Sequence, residues 1–227
     1  MALTMELKAD FHMHTKDDLQ DRFIRHSAKE LIDHAASLGF EVLSITAHDK
    51  IEYSPDLHHY AADKGILLIP GVEVTVEGRH ILLINYSGTV DFKKIADLKQ
   101  IRSPEILILA AHPFYPGLVT LKQKLIQNID LFDGIEYCHF YHRFLNFNKR
   151  AVAVAQQYQK PLVGTSDTHL LSQMGHTYSI LTVTRKTAVG VVEAIKKGAV
   201  RVVTKPLTFW EMIKILSKFR IDIFRSL

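Results

Sequence analysis

A chain of 227 residues with 47% hydrophobic and 23% charged side chains has the composition of one ordinary globular domain, which excludes a disordered or fibrous protein. A net charge of +4 without a dense Lys/Arg block admits an anionic substrate and does not require nucleic acid. The single Cys138 excludes an internal disulfide and a thiolate-rich zinc site, and neither a signal peptide nor a run of roughly 18 apolar residues is found, so a cytoplasmic protein with no membrane partner is expected.

Strands and helices are predicted to alternate. The strand 6–12 comes first. Ser27-Ala28-Lys29-Glu30 is a capping box, a Ser acceptor for orphan amides with Glu three residues on, and predicts a helix to about Leu38, stopped by Gly39. A buried strand at 42–46, a short helix at 56–64 and a strand at 66–69 running on to Val74 follow. The turn Glu77-Gly78-Arg79 leads into a strand at 80–86. Further on, the pattern predicts helices at 91–99, 118–128, 147–158 and 187–197, and strands at 106–111, 134–138, 162–165 and 178–183. Continuous apolar strands separated by helices imply a parallel sheet covered on both faces, and about seven such units favour a closed or distorted barrel over an open sheet. No internal repeat or linker divides residues 1–227, so a single domain is expected.

Five of these strands end in the same chemistry. The endings are Asp10-Phe11-His12-Met13-His14, Ile45-Thr46-Ala47-His48-Asp49, Ile69-Pro70-Gly71-Val72-Glu73, Ala110-Ala111-His112-Pro113 and Val163-Gly164-Thr165-Ser166-Asp167-Thr168-His169. In an α/β protein, the carboxyl ends of strands gather where chemistry sits. His12 and His14, two apart on a strand, project the same way, and Asp167 and His169 repeat the spacing across small residues. A carboxylate such as Glu73 at the end of an apolar strand is costly unless paired or coordinated. Each residue alone has an ordinary structural explanation, but one metal cluster accounts for His12, His14, His48, Glu73, His80, His112, Asp167 and His169 together. One Zn²⁺ takes about four ligands, so eight candidates imply two or three ions, with Glu73 or Asp167 bridging. Nitrogen and oxygen donors without thiolate suit Zn²⁺, Mn²⁺ or Fe²⁺. Such clusters hydrolyse phosphoesters by acidifying a bridging water and neutralising the attacking and leaving oxygens.

These ordered motifs resemble the polymerase and histidinol phosphatase (PHP) family over about residues 6–200. The resemblance implies an α/β fold, a distorted (β/α)₇ TIM-like barrel with its metal site at the C-terminal ends of the strands. It also implies a metal-dependent phosphoesterase, a hydrolase with a trinuclear centre and a metal-bridging hydroxide as nucleophile. By position, His12, His14, Glu73 and Asp167 would hold the first ion. Glu73, His80 and His112 would hold the second, and His48 and His169 the third with a residue from the loop after His14. There the family usually has Asp or His, often in a Ser-Asp-Gly turn, whereas this loop offers Asp17, Asp18 and Asp21, of which Asp18 is favoured. Ala47 stands where the family commonly has Asp, so the centre is expected to hold two or three ions.

For the substrate, His139 and Arg143 past the strand 134–138, Lys50 after His48-Asp49, and Arg79 beside His80 are the candidate contacts. Asp49 is expected to hydrogen-bond within its own turn, and His26, His34, His58, His59 and His176 to be surface or cap residues. Tyr137, Phe140, Tyr141, Phe144 and Phe147 form an aromatic group expected mainly to pack. The segment 207–227 carries Phe209, Trp210, Ile213, Leu216, Phe219 and Ile223 at helical spacing, and is expected to pack on the barrel or on a second subunit of a homo-oligomer. The expected partner is a small phosphorylated metabolite, a nucleotide or a short oligonucleotide end. The alternatives are a non-catalytic regulatory module, against which the filled ligand positions argue, and a metal-dependent amide hydrolase, for which no carbamylated-Lys position is evident.

Overall fold

The computed structural model describes residues 3–223, with side chains through 217. The first sheet contains β1 (Met5–Asp10), β2 (Val42–Leu43), β3 (Leu67–Leu68), β9 (Thr177–Val183) and β10 (Val200–Thr204), in the order β10-β9-β1-β2-β3. The second contains β4 (Gly71–Val76), β5 (Arg79–Ile84), β6 (Leu107–Ala110), β7 (Gly134–Cys138) and β8 (Leu162–Thr165), in chain order.

The expected parallel sheet is corrected to a mixed one. β1-β2-β3 and β6-β7-β8 pair in parallel, whereas β9 runs antiparallel to both β1 and β10, and β5 to both β4 and β6. The reason is local: Glu77 and Gly78, at φ 50° and 69°, make a two-residue hairpin turn. Such a turn joins antiparallel neighbours, while a parallel crossover needs a helix-length connection. Nor do the ladders close into the expected (β/α)₇ barrel. β2 and β3 are two residues long, too short to carry pairing round a cylinder, and among the described residues the backbone bridges between the sheets are the isolated parallel ones Met13–Thr168 and His48–Glu73. Both bridges lie at the ends that carry the predicted site.

Leu7 and Ala9 of β1 share one apolar cluster with Leu82, Leu109, Val163 and Leu181, which ties the two sheets together. Burial of this kind stabilises by roughly 25 cal/mol per Å² removed from water. Gly71 marks the closest approach: a Cβ there would collide with Ser44 Oγ and stand 3.0 Å from Thr46 Cγ2 and 3.1 Å from Leu83 O. Only glycine fits two residues before Glu73.

The helices follow their caps. In α1 (Ala28–Ser37), Ser27 Oγ accepts from Glu30 N at 3.3 Å and Glu30 Oε2 accepts from Ser27 N at 2.8 Å, the reciprocal box read from sequence. α2 (Pro55–Asp63) starts with Ser54 as cap and Pro at its first position. The helix expected at 118–128 shrinks to α3 (Gln123–Gln127), because Lys122 takes a left-handed φ of 48°. The one expected at 91–99 is instead a 3₁₀ helix, Ile95–Ile101. α4 (Asn148–Gln157) and α5 (Ala188–Lys196) match their predictions closely. β10 was not expected, since Val200-Arg201-Val202-Val203-Thr204 is short and neither alternates nor runs apolar throughout. α6 (Phe209–Ile223) packs on its own chain through buried Ile215 and through Glu211, whose Oε1 is 3.1 Å from His176 Nε2. The side chains of Phe219 and Ile223, and residues 224–227, lie outside the described residues. Among the described residues, no helix is long and apolar enough to cross a membrane.

Candidate metal centre

Glu73 lies inside β4 between the buried Val72 and Val74, and its carboxylate is the hub of the site. Its Oε2 lies 3.1 Å from His12 Nε2, 3.4 Å from His14 Nε2 and 3.1 Å from His48 Nε2. Its Oε1 lies 2.9 Å from His80 Nδ1 and 3.2 Å from His112 Nε2. Five imidazoles from four stretches of chain thus converge on one carboxyl group. Asp167 is a second meeting point, with Oδ1 3.3 Å from His12 Nε2, 3.4 Å from His14 Nε2 and 3.5 Å from His169 Nδ1. All eight residues predicted from the strand endings and His80 are therefore brought together.

Backbone geometry makes this convergence. His48 and Glu73 form a parallel bridge in which Asp49 N donates to Glu73 O at 2.8 Å and Glu73 N to Ala47 O at 3.2 Å. His112 and Asp167 sit in left-handed backbone, at φ 23° and 46°, a conformation that costs a non-glycine residue roughly 1–3 kcal/mol and clusters at functional sites. Asp10, fully buried, accepts the backbone N–H of Ser166 at 3.1 Å and of His12 at 3.3 Å through Oδ1, joining the ends of β1 and β8. Burial pushes its carboxyl up to about 7 against these hydrogen bonds.

The electrostatics suit cations. Burial works against ionisation of Glu73, but His80, His12 and His48 outweigh it and hold the carboxyl well below the usual range. His12, His169 and His14 do the same for Asp167. Two ionised carboxylates therefore face a set of nitrogens. His12 Nε2 and His14 Nε2 are buried and make no hydrogen bond, although carboxylate oxygens lie within 3.4 Å. Both nitrogens lie among the carboxylate oxygens of Glu73 and Asp167, where the candidate ligand atoms gather. Groups such as His12, His14 and Glu73, or His48, Glu73 and His80, bring ligand atoms within 4.8 Å of one another. The donor set of imidazole and carboxylate without thiolate fits a divalent first-row ion, and the residues present fit the implied metals.

The loop after His14 separates its candidates. Asp18, favoured from sequence, is buried and stands with His14, Asp21 and His48 in one group whose ligand atoms lie within 4.8 Å of one another; its Oδ2 lies 2.9 Å from His14 Nδ1 and 3.0 Å from His48 Nδ1 and accepts His48 N at 2.8 Å. Its Oδ1 accepts Gln20 N at 2.8 Å and Asp21 N at 3.1 Å. Asp21 instead lines the opening, with Oδ2 2.8 Å from His169 Nε2 and 3.6 Å from His48 Nδ1. Asp17 N is tied to Thr15 Oγ1.

A cavity of about 230 Å³ opens over the cluster, lined by Gln20, Asp21, His48, Glu73, His80, His112, Val119, Asp167 and His169. None of the four residues expected to touch substrate lines it. His139 is buried, held neutral because burial lowers it to about 4, and its Nε2 accepts from Gln173 Nε2 at 3.0 Å. Gln173 in turn accepts His169 N at 2.8 Å and Leu170 N at 2.6 Å, so His139 props the Asp167–His169 loop from behind. Arg143 is exposed with its guanidinium 4.9 Å over the Phe144 ring. Lys50 Nζ donates to Asp17 O at 3.1 Å, and Arg79 leaves β5 on the face opposite His80.

Asp49 also departs from expectation, accepting Thr75 N at 2.7 Å and Gln20 Nε2 at 3.1 Å across the opening rather than within its own turn. His26 and His176 are buried, not surface residues; His26 Nε2 is 2.9 Å from His14 O, which braces the ligand strand. Of the aromatic group, Tyr137 and Tyr141 meet edge to face at 5.7 Å, while Phe144 is exposed.

Glu136 escaped sequence reading. It is fully buried in β7, with Oε1 2.6 Å from His12 Nδ1 and accepting the Thr165 hydroxyl, while Oε2 accepts His112 N. Its one signal was a carboxylate inside the apolar run Gly134-Ile135-Glu136-Tyr137-Cys138.

Residues 146–200, which contain Asp167 and His169, match the PHP-associated family model. No curated protein matches the chain. Among solved structures, the fold is similar to a two-domain protein containing a predicted PHP-like metal-dependent phosphoesterase from Bacteroides vulgatus ATCC 8482. The TM-score is 0.70 at 21% identity, covering 88% of this chain and 65% of that one. It is also similar to PsfC from Pseudomonas syringae PB-5123, with TM-score 0.65 at 15% identity, covering 97% of this chain and 98% of that one. The lesion-specific endonuclease PfuEndoQ from Pyrococcus furiosus gives TM-score 0.62 at 17% identity, covering 87% of this chain and 58% of that one. This chain thus spans less than two thirds of the first and third of these neighbours.

Proposed function

We propose that this chain, whose PHP-associated segment and PHP-like fold support a place in the PHP family, hydrolyses phosphoesters with two or three divalent ions. The observation that carries the reading is the convergence of five imidazoles on the two oxygens of Glu73, with two buried nitrogens left without hydrogen bonds.

His12, His14, Glu73 and Asp167 would hold the first ion and Glu73, His80 and His112 the second, Glu73 serving both. His48 and His169 would hold a third with Asp21, whose carboxylate faces both rings. Zn²⁺, Mn²⁺ or Fe²⁺ in such a cluster supplies Lewis acidity and positive charge toward phosphoryl oxygens. The protein's own contribution is orientation. Asp18 aims His14 and His48, Gln173 holds the backbone of His169, and Gln20, tied to Asp49, lines the cavity. With no Lys or Arg on that lining, the charge that balances a phosphate would come from the ions that the cluster would hold. A phosphomonoester of a small metabolite or nucleotide, or an oligonucleotide end, fits a cavity of about 230 Å³ that is open to solvent.

The test is phosphate release from a panel of histidinol phosphate, adenosine 3′,5′-bisphosphate, 5′-phosphorylated oligonucleotides, a phosphotyrosine peptide and p-nitrophenyl phosphate, with Mn²⁺ or Zn²⁺ added. Chelator-sensitive preference for one substrate is expected. A folded, metal-loaded protein that leaves every ester intact would overturn the reading.

A further inference from the structure

Resting on that metal-centre reading, we infer that Glu136 is a positioning residue that fixes which nitrogen His12 presents and anchors the strained backbone of His112. Glu136 has no exposure to solvent and does not line the cavity. Its two oxygens are fully used: Oε1 faces His12 Nδ1 at 2.6 Å and accepts the Thr165 hydroxyl, and Oε2 accepts the His112 N–H. These partners come from the ends of β1, β6 and β8, while Glu136 sits on β7 in register with Val163. One carboxylate thus gathers groups from three other strands.

The consequence for His12 follows from imidazole chemistry. With its proton held on Nδ1 by a carboxylate, the ring carries its lone pair on Nε2. That nitrogen is the one lying 3.1 Å from Glu73 Oε2 and 3.3 Å from Asp167 Oδ1 with no hydrogen bond of its own. A carboxylate behind a ligating histidine also sharpens its orientation and raises its basicity. The consequence for His112 is conformational. Its φ of 23° is unfavourable for a residue with a side chain, and an amide held by a buried carboxylate offsets that cost. Glutamine in this place keeps the shape but offers one oxygen for three donors, so at least one of the three contacts must break.

The experiment compares wild type with Glu136→Gln, using Zn²⁺ as the probe. Zinc affinity is measured by competition with a chromophoric chelator, the fold is checked by far-UV circular dichroism and thermal melting, and the imidazole nitrogens of zinc-loaded protein are read by ¹⁵N NMR. In zinc-loaded wild type, His12 is expected to show a protonated, hydrogen-bonded Nδ1 and a ligating Nε2. Folded E136Q is expected to bind zinc about 10- to 100-fold more weakly and to lose the hydrogen bond of either the His12 Nδ1–H or the His112 backbone amide, both read by ¹⁵N NMR. A folded E136Q with affinity within twofold of wild type overturns the inference. Should E136Q not fold, the wild-type spectrum decides alone: His12 ligating through Nδ1 overturns the inference, and ligation through Nε2 beside a hydrogen-bonded Nδ1–H upholds it. Wild type that takes up no zinc or manganese overturns the metal centre itself, an outcome distinct from equal affinities.

Discussion

Asp18 holds His48 twice, accepting its backbone N–H at 2.8 Å through Oδ2 and facing its Nδ1 at 3.0 Å with the same oxygen. Since that oxygen also lies 2.9 Å from His14 Nδ1, one buried carboxyl aims two imidazoles whose other nitrogens turn toward Glu73. Asp18 and Asp21 are therefore expected to behave differently. Asp18→Ala breaks a buried ionic contact, and is predicted to cost about 3–5 kcal/mol in urea unfolding. Asp21→Ala removes a half-buried carboxylate, and should cost under about 1 kcal/mol while lowering the metal bound per chain by one ion. Unfolding curves and elemental analysis of the two variants check this; D18A with wild-type stability would contradict it.

The basic residues beyond the cavity give a second contrast. Arg143→Ala should leave KM for the best ester within twofold, because the guanidinium lies over Phe144 and not on the cavity lining. His139→Ala should cost about 2–4 kcal/mol by leaving a cavity and an unpaired Gln173 amide, and should lower kcat through the Asp167–His169 loop more than it raises KM. A tenfold rise in KM for R143A would show that this side chain reaches substrate.

Much of this site was legible because metal ligands at strand ends break apolar patterns. His12, His14, Glu73, His112, Asp167 and His169 each interrupt or terminate an apolar run, and a buried charged or imidazole group there needs a reason. The position of Asp18 was legible, but its role was not, because three aspartates in one loop differ only in where the turns aim them. Glu136 was hidden because a single carboxylate inside a strand reads as an outward-facing residue unless its partners on other strands are known. His139 misled for the opposite reason, since proximity in sequence to a strand end says nothing about which side of the loop a ring takes. In the fold, the capping box placed α1 to within a residue or two, and the bounds expected for α5 were as close. The mixed pairing of β4, β5 and β6 depended on a two-residue turn, and the open ladders depended on the shortness of β2 and β3, which an apolar run longer than either strand concealed.

Glycine 71 ties fold to site. Gly71→Ala would drive a Cβ into Ser44 Oγ and against Thr46 and Leu83, and is predicted to cost about 1–3 kcal/mol and to weaken metal binding by shifting Glu73. Ser44→Ala on the same chain should recover part of both losses, because the nearest obstacle is that hydroxyl. Equal stability and metal affinity in G71A and G71A/S44A would contradict a steric origin.

The metal-free and metal-loaded proteins should respond to pH in opposite ways. Burial opposes protonation of His48, but Glu73 and Asp18 outweigh it and raise the ring to about 9, against about 6.5 for a free imidazole. The folded metal-free protein therefore binds a proton more tightly than the unfolded chain does. The stability this brings is fully present below pH 6.5 and is lost as pH rises toward 9. His12, His112 and His169 are raised too and add to the same trend. Ligation needs the neutral ring, so zinc affinity should climb through the same window. Thermal melts with and without Zn²⁺ between pH 6.5 and 9 should show the metal-free Tm falling while the gain from metal widens; a metal-free Tm that rises across this window would contradict the ion-pair geometry around Glu73.

The most direct test of the account is Glu73→Gln, assayed for ester hydrolysis and bound metal beside wild type, with and without chelator. The two chains should melt as folded proteins, wild-type hydrolysis should vanish with chelator and return with Mn²⁺ or Zn²⁺, and E73Q should hold less metal and lose at least about a hundredfold in kcat/KM, since removing even an outer partner of a ligand costs 10- to 100-fold. Wild-type activity that survives the chelator, or E73Q within a fewfold of wild type, would contradict a metal centre built on that carboxylate.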